Sequence, residues 1–79
     1  MRILDEDRDQ AIERVTVFLT RSEAGEMRDM LNALLSGDVD QHVHVSDSDF
    51  RREVTLAIYS EDDLSHFSER ARRIIETGE

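Results

Sequence analysis

Over Glu13 to Thr20 apolar and polar positions alternate. Val15, Val17 and Leu19 fall on one side of an extended chain, and Arg14, Thr16 and Phe18 on the other. A period of two, rich in β-branched and aromatic types, predicts a strand. The period then changes: Ala24, Met27, Leu31 and Leu34, flanked by Met30 and Leu35, recur at spacings of three and four, which is one apolar face of a helix. Thr20 and Glu23 form a capping box, with the hydroxyl accepting from the Glu23 amide and the carboxylate from the Thr20 amide, so the helix starts at about Arg21. Gly37 supplies the left-handed residue that closes it.

After the acidic link Asp38 to Gln41, Val43 and Val45 alternate with His42 and His44, which predicts a short strand. Ser46-Asp47-Ser48-Asp49 has the side chains that bond their own backbone in turns, and Arg51 to Tyr59 follows with Val54, Leu56 and Ile58 on one face. These two runs predict an antiparallel hairpin. Ser60 with Asp63 repeats the capping-box logic, Glu61 to Asp63 put negative charge on the start of a dipole, and Leu64, Phe67, Ala71, Ile74 and Ile75 supply an apolar stripe. A second helix is expected from about Glu61 to Glu76, with Arg70, Arg72 and Arg73 toward its far end.

The two halves resemble each other. Val15-Thr16-Val17 is matched by Val54-Thr55-Leu56, and the two helical stripes correspond, about forty residues on. Carried backwards, the match sets Ile3 near Val43 and the acidic Asp5 to Asp9 near Ser46 to Asp49. The N-terminal residues 1–10 would then be a short edge strand and the chain a ββα duplication; the alternative is a disordered acidic leader before a βαββα body. Either way the expected fold is a single α+β domain over 1–79, in (β)βαββα order. It is a two-layer sandwich with two helices on one face of a small, mainly antiparallel sheet of three or four strands. Its core would be Val15, Val17, Leu19, Met27, Leu31, Leu34, Val43, Val45, Val54, Leu56, Ile58, Leu64, Phe67, Ala71 and Ile74.

Length and charge narrow the functional classes. Seventy-nine residues lie near the size at which folding buries only about 60% of the unfolded surface. With no cysteine, neither disulfides nor thiolate metal sites can supply the missing stability, and a partner subunit would. The formal charge of −9 opposes the counterion release that drives binding to phosphate backbones, so nucleic acid is not an expected partner, whereas a basic protein is. There is neither the apolar core of a signal peptide nor a run of about 20 apolar residues, so no membrane contact and a cytoplasmic location are expected. Small bacterial accessory proteins, immunity proteins and inhibitors of basic partners share this size and acidity, but no residue pattern here selects one of them.

Chemistry is sparse. No GxSxG elbow, phosphate-cradling glycine loop or cofactor motif is present, so neither an enzyme nor a bound cofactor is expected. His42 and His44 point to one side of their strand, and with Asp40 they could form the first ligands of a zinc site. Surrounded by carboxylates, the same imidazoles could instead serve as a pH switch. On the sheet face away from the helices, Phe18, Ala57 and Tyr59 are more apolar than a wet surface requires and form a candidate self-association surface. The reading favoured by these residues is a non-catalytic protein-interaction or regulatory module that self-associates as a homodimer. The alternative is a metal-binding or metal-sensing module built on His42 and His44.

Overall fold

The computed structural model describes residues 1–39 and 41–79. The elements follow the order β1 (Ile3–Asp5), β2 (Gln10–Ile12), α1 (Arg21–Ser36), β3 (His42–Ser46), β4 (Glu53–Ala57) and α2 (Glu69–Thr77), giving an α+β protein. β1 pairs with β2 and β3 with β4, both antiparallel. Two two-stranded sheets thus stand where the sequence pattern led to one sheet of three or four strands. The chain divides into two compact units, Met1–Val17 with Ser60–Glu79, and Phe18–Tyr59.

In the unit Phe18–Tyr59, α1 follows the local signals closely. Thr20 accepts from the Glu23 amide at 3.1 Å while the Glu23 carboxylate accepts from the Thr20 amide at 2.9 Å, and Gly37 ends the helix at φ 78. α1 packs on β3, and Leu34 is buried along with Val43 and Val45. Burying each such side chain contributes about 1.5–3 kcal/mol. The hairpin register sets Val43 opposite Leu56 and Val45 opposite Val54, and the Ile58 amide donates to the Gln41 carbonyl just beyond the strand ends.

The unit built from the chain's two ends holds β1, β2 and α2. Arg2 donates from Nε to the Ile74 carbonyl at 2.9 Å and to the Ile75 carbonyl at 3.3 Å, so a cation from the first residues serves the C-terminal end of α2. The helix has no basic residue of its own in its last turn. Arg70 donates to the Asp9 carboxylate from Nε and to the Asp9 carbonyl from Nη2, while Nη1 is enclosed without a partner. Ile74 is the buried residue of this helix.

Both hairpin turns use one device. Asp5 accepts from the amides of Asp7 and Arg8 and from the Arg8 guanidinium. Asp47 accepts from the amides of Arg51 and Arg52 and from the Arg52 guanidinium. Each turn also contains a non-glycine residue in the left-handed region, Asp9 at φ 53 and Phe50 at φ 56.

Three expectations are corrected. Glu13 to Thr20 forms no strand; β2 ends at Ile12, and the next regular element is α1. The N-terminal strand therefore pairs with Gln10–Ile12 rather than with the alternating run. α2 begins at Glu69 and not at about Glu61, because Asp63 spends its carboxylate on the Ser65 amide and hydroxyl at 3.1 and 2.6 Å instead of capping a helix. The intervening serines and aspartates favour such local bonds over helix, and Ser68 becomes the cap, accepting from the Ala71 amide. The acidic Glu61 to Asp63 thus precede the helix by several residues. Finally, of the expected core, Val15, Val17, Leu19, Leu31 and Ile58 are exposed: with no strand at Glu13 to Thr20, the first three have no sheet to bury them.

Candidate functional site

The polar face of the β3–β4 hairpin gathers the only cluster of potentially reactive side chains that the sequence singled out. Strand alternation sends Val43 and Val45 inward and leaves His42 and His44 exposed on the opposite face. Their rings lie 5.2 Å apart, edge to face. The register places Thr55 directly across from His44 and Ala57 across from His42, and Glu53 diagonally beside His44. His44 Nδ1 is 2.6 Å from the Glu53 carboxylate and 2.8 Å from the Thr55 hydroxyl, and the Thr55 hydroxyl lies 3.4 Å from the same carboxylate oxygen.

An ionised carboxylate only accepts, so the His44 ring carries its proton on Nδ1, shared between Glu53 and Thr55. A metal approaching His44 would have to use Nε2. A carboxylate behind a ring nitrogen is also the arrangement that commonly orients metal-binding histidines. Among the described residues, however, no three His, Cys, Asp or Glu side chains converge on a point that could hold an ion. Asp40, the third expected ligand, lies outside the described residues. The His44–Glu53 pair is half exposed on both sides, where such contacts contribute about 0–1 kcal/mol.

Three carboxylates with shifted acidity, Asp5, Asp47 and Asp63, lie in turns. The Arg52 and Arg51 amides hold Asp47 below its usual range, with help from the Arg52 guanidinium; the Arg8 amide does the same for Asp5. The Ser65 hydroxyl and then the Ser65 amide lower Asp63. These shifts reflect turn construction, with the charged form receiving hydrogen bonds.

The residues singled out for self-association fall in different settings. Phe18 is 91% exposed in the segment before α1, which belongs to no helix or strand. Ala57 is exposed at the end of β4, on the same face as His42, and Tyr59 is half-buried beyond it. Around Phe18, Val15, Val17 and Leu19 are 58, 44 and 38% exposed, an apolar stretch that the sequence had assigned to the core. Glu53 was not anticipated as a partner of His44; the signal was the hairpin register, which makes residues 44 and 53 diagonal neighbours once the turn is placed. Among the described residues no helix is long and apolar enough to cross a membrane. Comparison with protein-family models, with curated proteins and with solved structures finds no match.

Proposed function

We propose that this chain is a small acidic interaction module that works by binding protein, including a second copy of itself, rather than by turnover. The observation that supports this reading most is the run Val15 to Leu19, which lies outside any ladder and leaves Val15, Val17, Phe18 and Leu19 exposed. Exposed β-capable backbone with apolar side chains is a surface that proteins ordinarily cover by association. The two-layer sandwich anticipated from the sequence pattern of the single chain is part of this proposal. A net charge of −9 adds electrostatic steering toward any basic protein partner. Sedimentation equilibrium of the chain at micromolar concentration tests the self-association, with the expected mass twice 9.2 kDa. A mass of one chain throughout that range would remove it.

A second reading, metal binding on β3, has one observation in its favour, the Glu53 carboxylate behind His44 Nδ1. Calorimetric titration with zinc separates the two. A stoichiometric isotherm lost in the His42→Ala, His44→Ala double variant would support metal binding, and absence of heat at micromolar protein would end it.

A further inference from the structure

We infer that His42 and His44 together chelate a copper(II) ion through one nitrogen of each ring, with Glu53 as the positioning residue behind His44. This names the ion for the metal reading above and rests on it. The pair is built into one strand. Residues two apart on β3 project from the same face, and both rings stand on the side away from the buried Val43 and Val45. Two imidazoles that each reach one ion at about 2 Å have ring centres roughly 4.5–5.5 Å apart, for angles of about 90–120° at the metal. The centres of His42 and His44 are 5.2 Å apart.

The two rings are prepared differently. His44 Nδ1 faces the Glu53 carboxylate at 2.6 Å and the Thr55 hydroxyl at 2.8 Å, which holds the ring and leaves the Nε2 lone pair for a metal. His42 is exposed, and Ala57 across the ladder offers its ring no polar side-chain group, so nothing on β4 opposite it competes for either nitrogen. One arm of the chelate is thus oriented in advance, and the other can turn to meet the ion.

The number of ligands selects the ion. Among the described residues no third His, Cys, Asp or Glu side chain joins the pair. Structural zinc uses four protein ligands and catalytic zinc three, so two imidazoles make a poor zinc site. Copper(II) stands above zinc in the order of divalent affinities, suits imidazole nitrogen and takes tetragonal geometry, in which water can fill the remaining positions. A chain of net charge −9 attracts such a dication rather than repelling it.

Calorimetric titration of the full chain with copper(II) is expected to give one ion per chain, and electron paramagnetic resonance of the bound ion to show coupling to two nitrogens. Zinc is expected at the same pair, at least about tenfold more weakly. His42→Ala and His44→Ala each remove one arm of the chelate and should weaken copper(II) at least about tenfold, because the second bond is then no longer intramolecular. His66→Ala, in the other compact unit, should leave the affinity unchanged. Glu53→Ala is expected to weaken binding about tenfold. Glu53→Gln should recover most of that loss, since its carbonyl still accepts from Nδ1 although the charge is gone. Nitrogen-15 NMR of the metal-free chain should show His44 protonated at Nδ1 in the native protein and in Glu53→Gln, and a mixture of tautomers in Glu53→Ala. Full affinity in either single histidine variant, or its loss in His66→Ala, would overturn the chelate. Equal weakening by Gln and Ala at 53 would overturn the positioning role, leaving Glu53 as a charge alone. Zinc bound as tightly as copper(II) would overturn the two-imidazole assignment and leave the metal reading standing. Silence with both ions would end this inference and that reading together.

Discussion

Val15-Thr16-Val17 and Val54-Thr55-Leu56 carry nearly the same alternation, yet only the second lies in a ladder. Val54 and Leu56 are half-buried opposite Val45 and Val43; Val15 and Val17 are exposed. The difference lies in what stands nearby along the chain. β4 is delivered to β3 by a turn that Asp47 holds with the Arg51 and Arg52 amides, so loop closure is short and its entropy cost small. Glu13 to Thr20 has on one side β2, already matched residue for residue to β1, and on the other a helix whose capping box begins at Thr20. Alternation records a capacity to pair; a free edge within reach turns the capacity into a strand.

That comparison can be broken first at the buried positions. Leu34→Ala removes the helix residue buried with β3 and is expected to cost about 2–5 kcal/mol, enough to abolish the cooperative thermal transition of a small domain. Val45→Ala is expected to cost about 1–3 kcal/mol, whereas Val17→Ala, measured under conditions where the chain is a monomer, should change stability by under about 0.5 kcal/mol. Urea midpoints read both. An equal loss at Val17 would mean that its segment is buried in the single chain after all.

Thr20→Ala probes the boundary between the unpaired segment and α1. It removes the acceptor for the Glu23 amide and should cost about 1 kcal/mol, seen as lost helical ellipticity and a lower midpoint. Phe50→Asn acts on the paired side in the opposite direction. Phe50 is 84% exposed and held at φ 56, a conformation that asparagine adopts at lower cost, so a gain of about 0.5–1 kcal/mol is expected. The smallest effect is the acid response of the turns. Asp5, Asp47 and Asp63 have carboxyls held below their usual range, so their contribution is complete above about pH 4 and fades as pH falls through their folded values. Proton NMR should show the Arg51 and Arg52 amides shifting in that interval, and the shift should vanish in Asp47→Asn.

What could be read from the residues divides along the same line. α1 was legible to the residue because its start and stop are local: Thr20, Glu23 and Gly37 act within their own turns. The β3–β4 hairpin was legible because its turn is short and each strand turns one apolar face inward, buried in β3 and half-buried in β4. The start of α2 was not. Ser60 and Asp63 have the spacing of a cap, yet the Asp63 carboxylate found the Ser65 amide and hydroxyl two residues on. The hold of Arg70 on Asp9, across 61 positions, carries no local signal at all. At the candidate site, the shared facing of His42 and His44 followed from the period of two, while Glu53 needed the register of the turn.

The Arg2 clasp on α2 has a consequence for the order of events when the chain is made. Phe18–Tyr59 is one continuous stretch, so its helix and hairpin can assemble as soon as they leave the ribosome. The β1–β2 hairpin precedes that stretch but must wait for Ile74, 72 positions after Arg2, before Arg2 has a carbonyl to hold. The strand that precedes α1 in the chain is thus secured after it, and pulse-labelled hydrogen exchange should find Val43 and Val45 protected before Ile3 and Leu4.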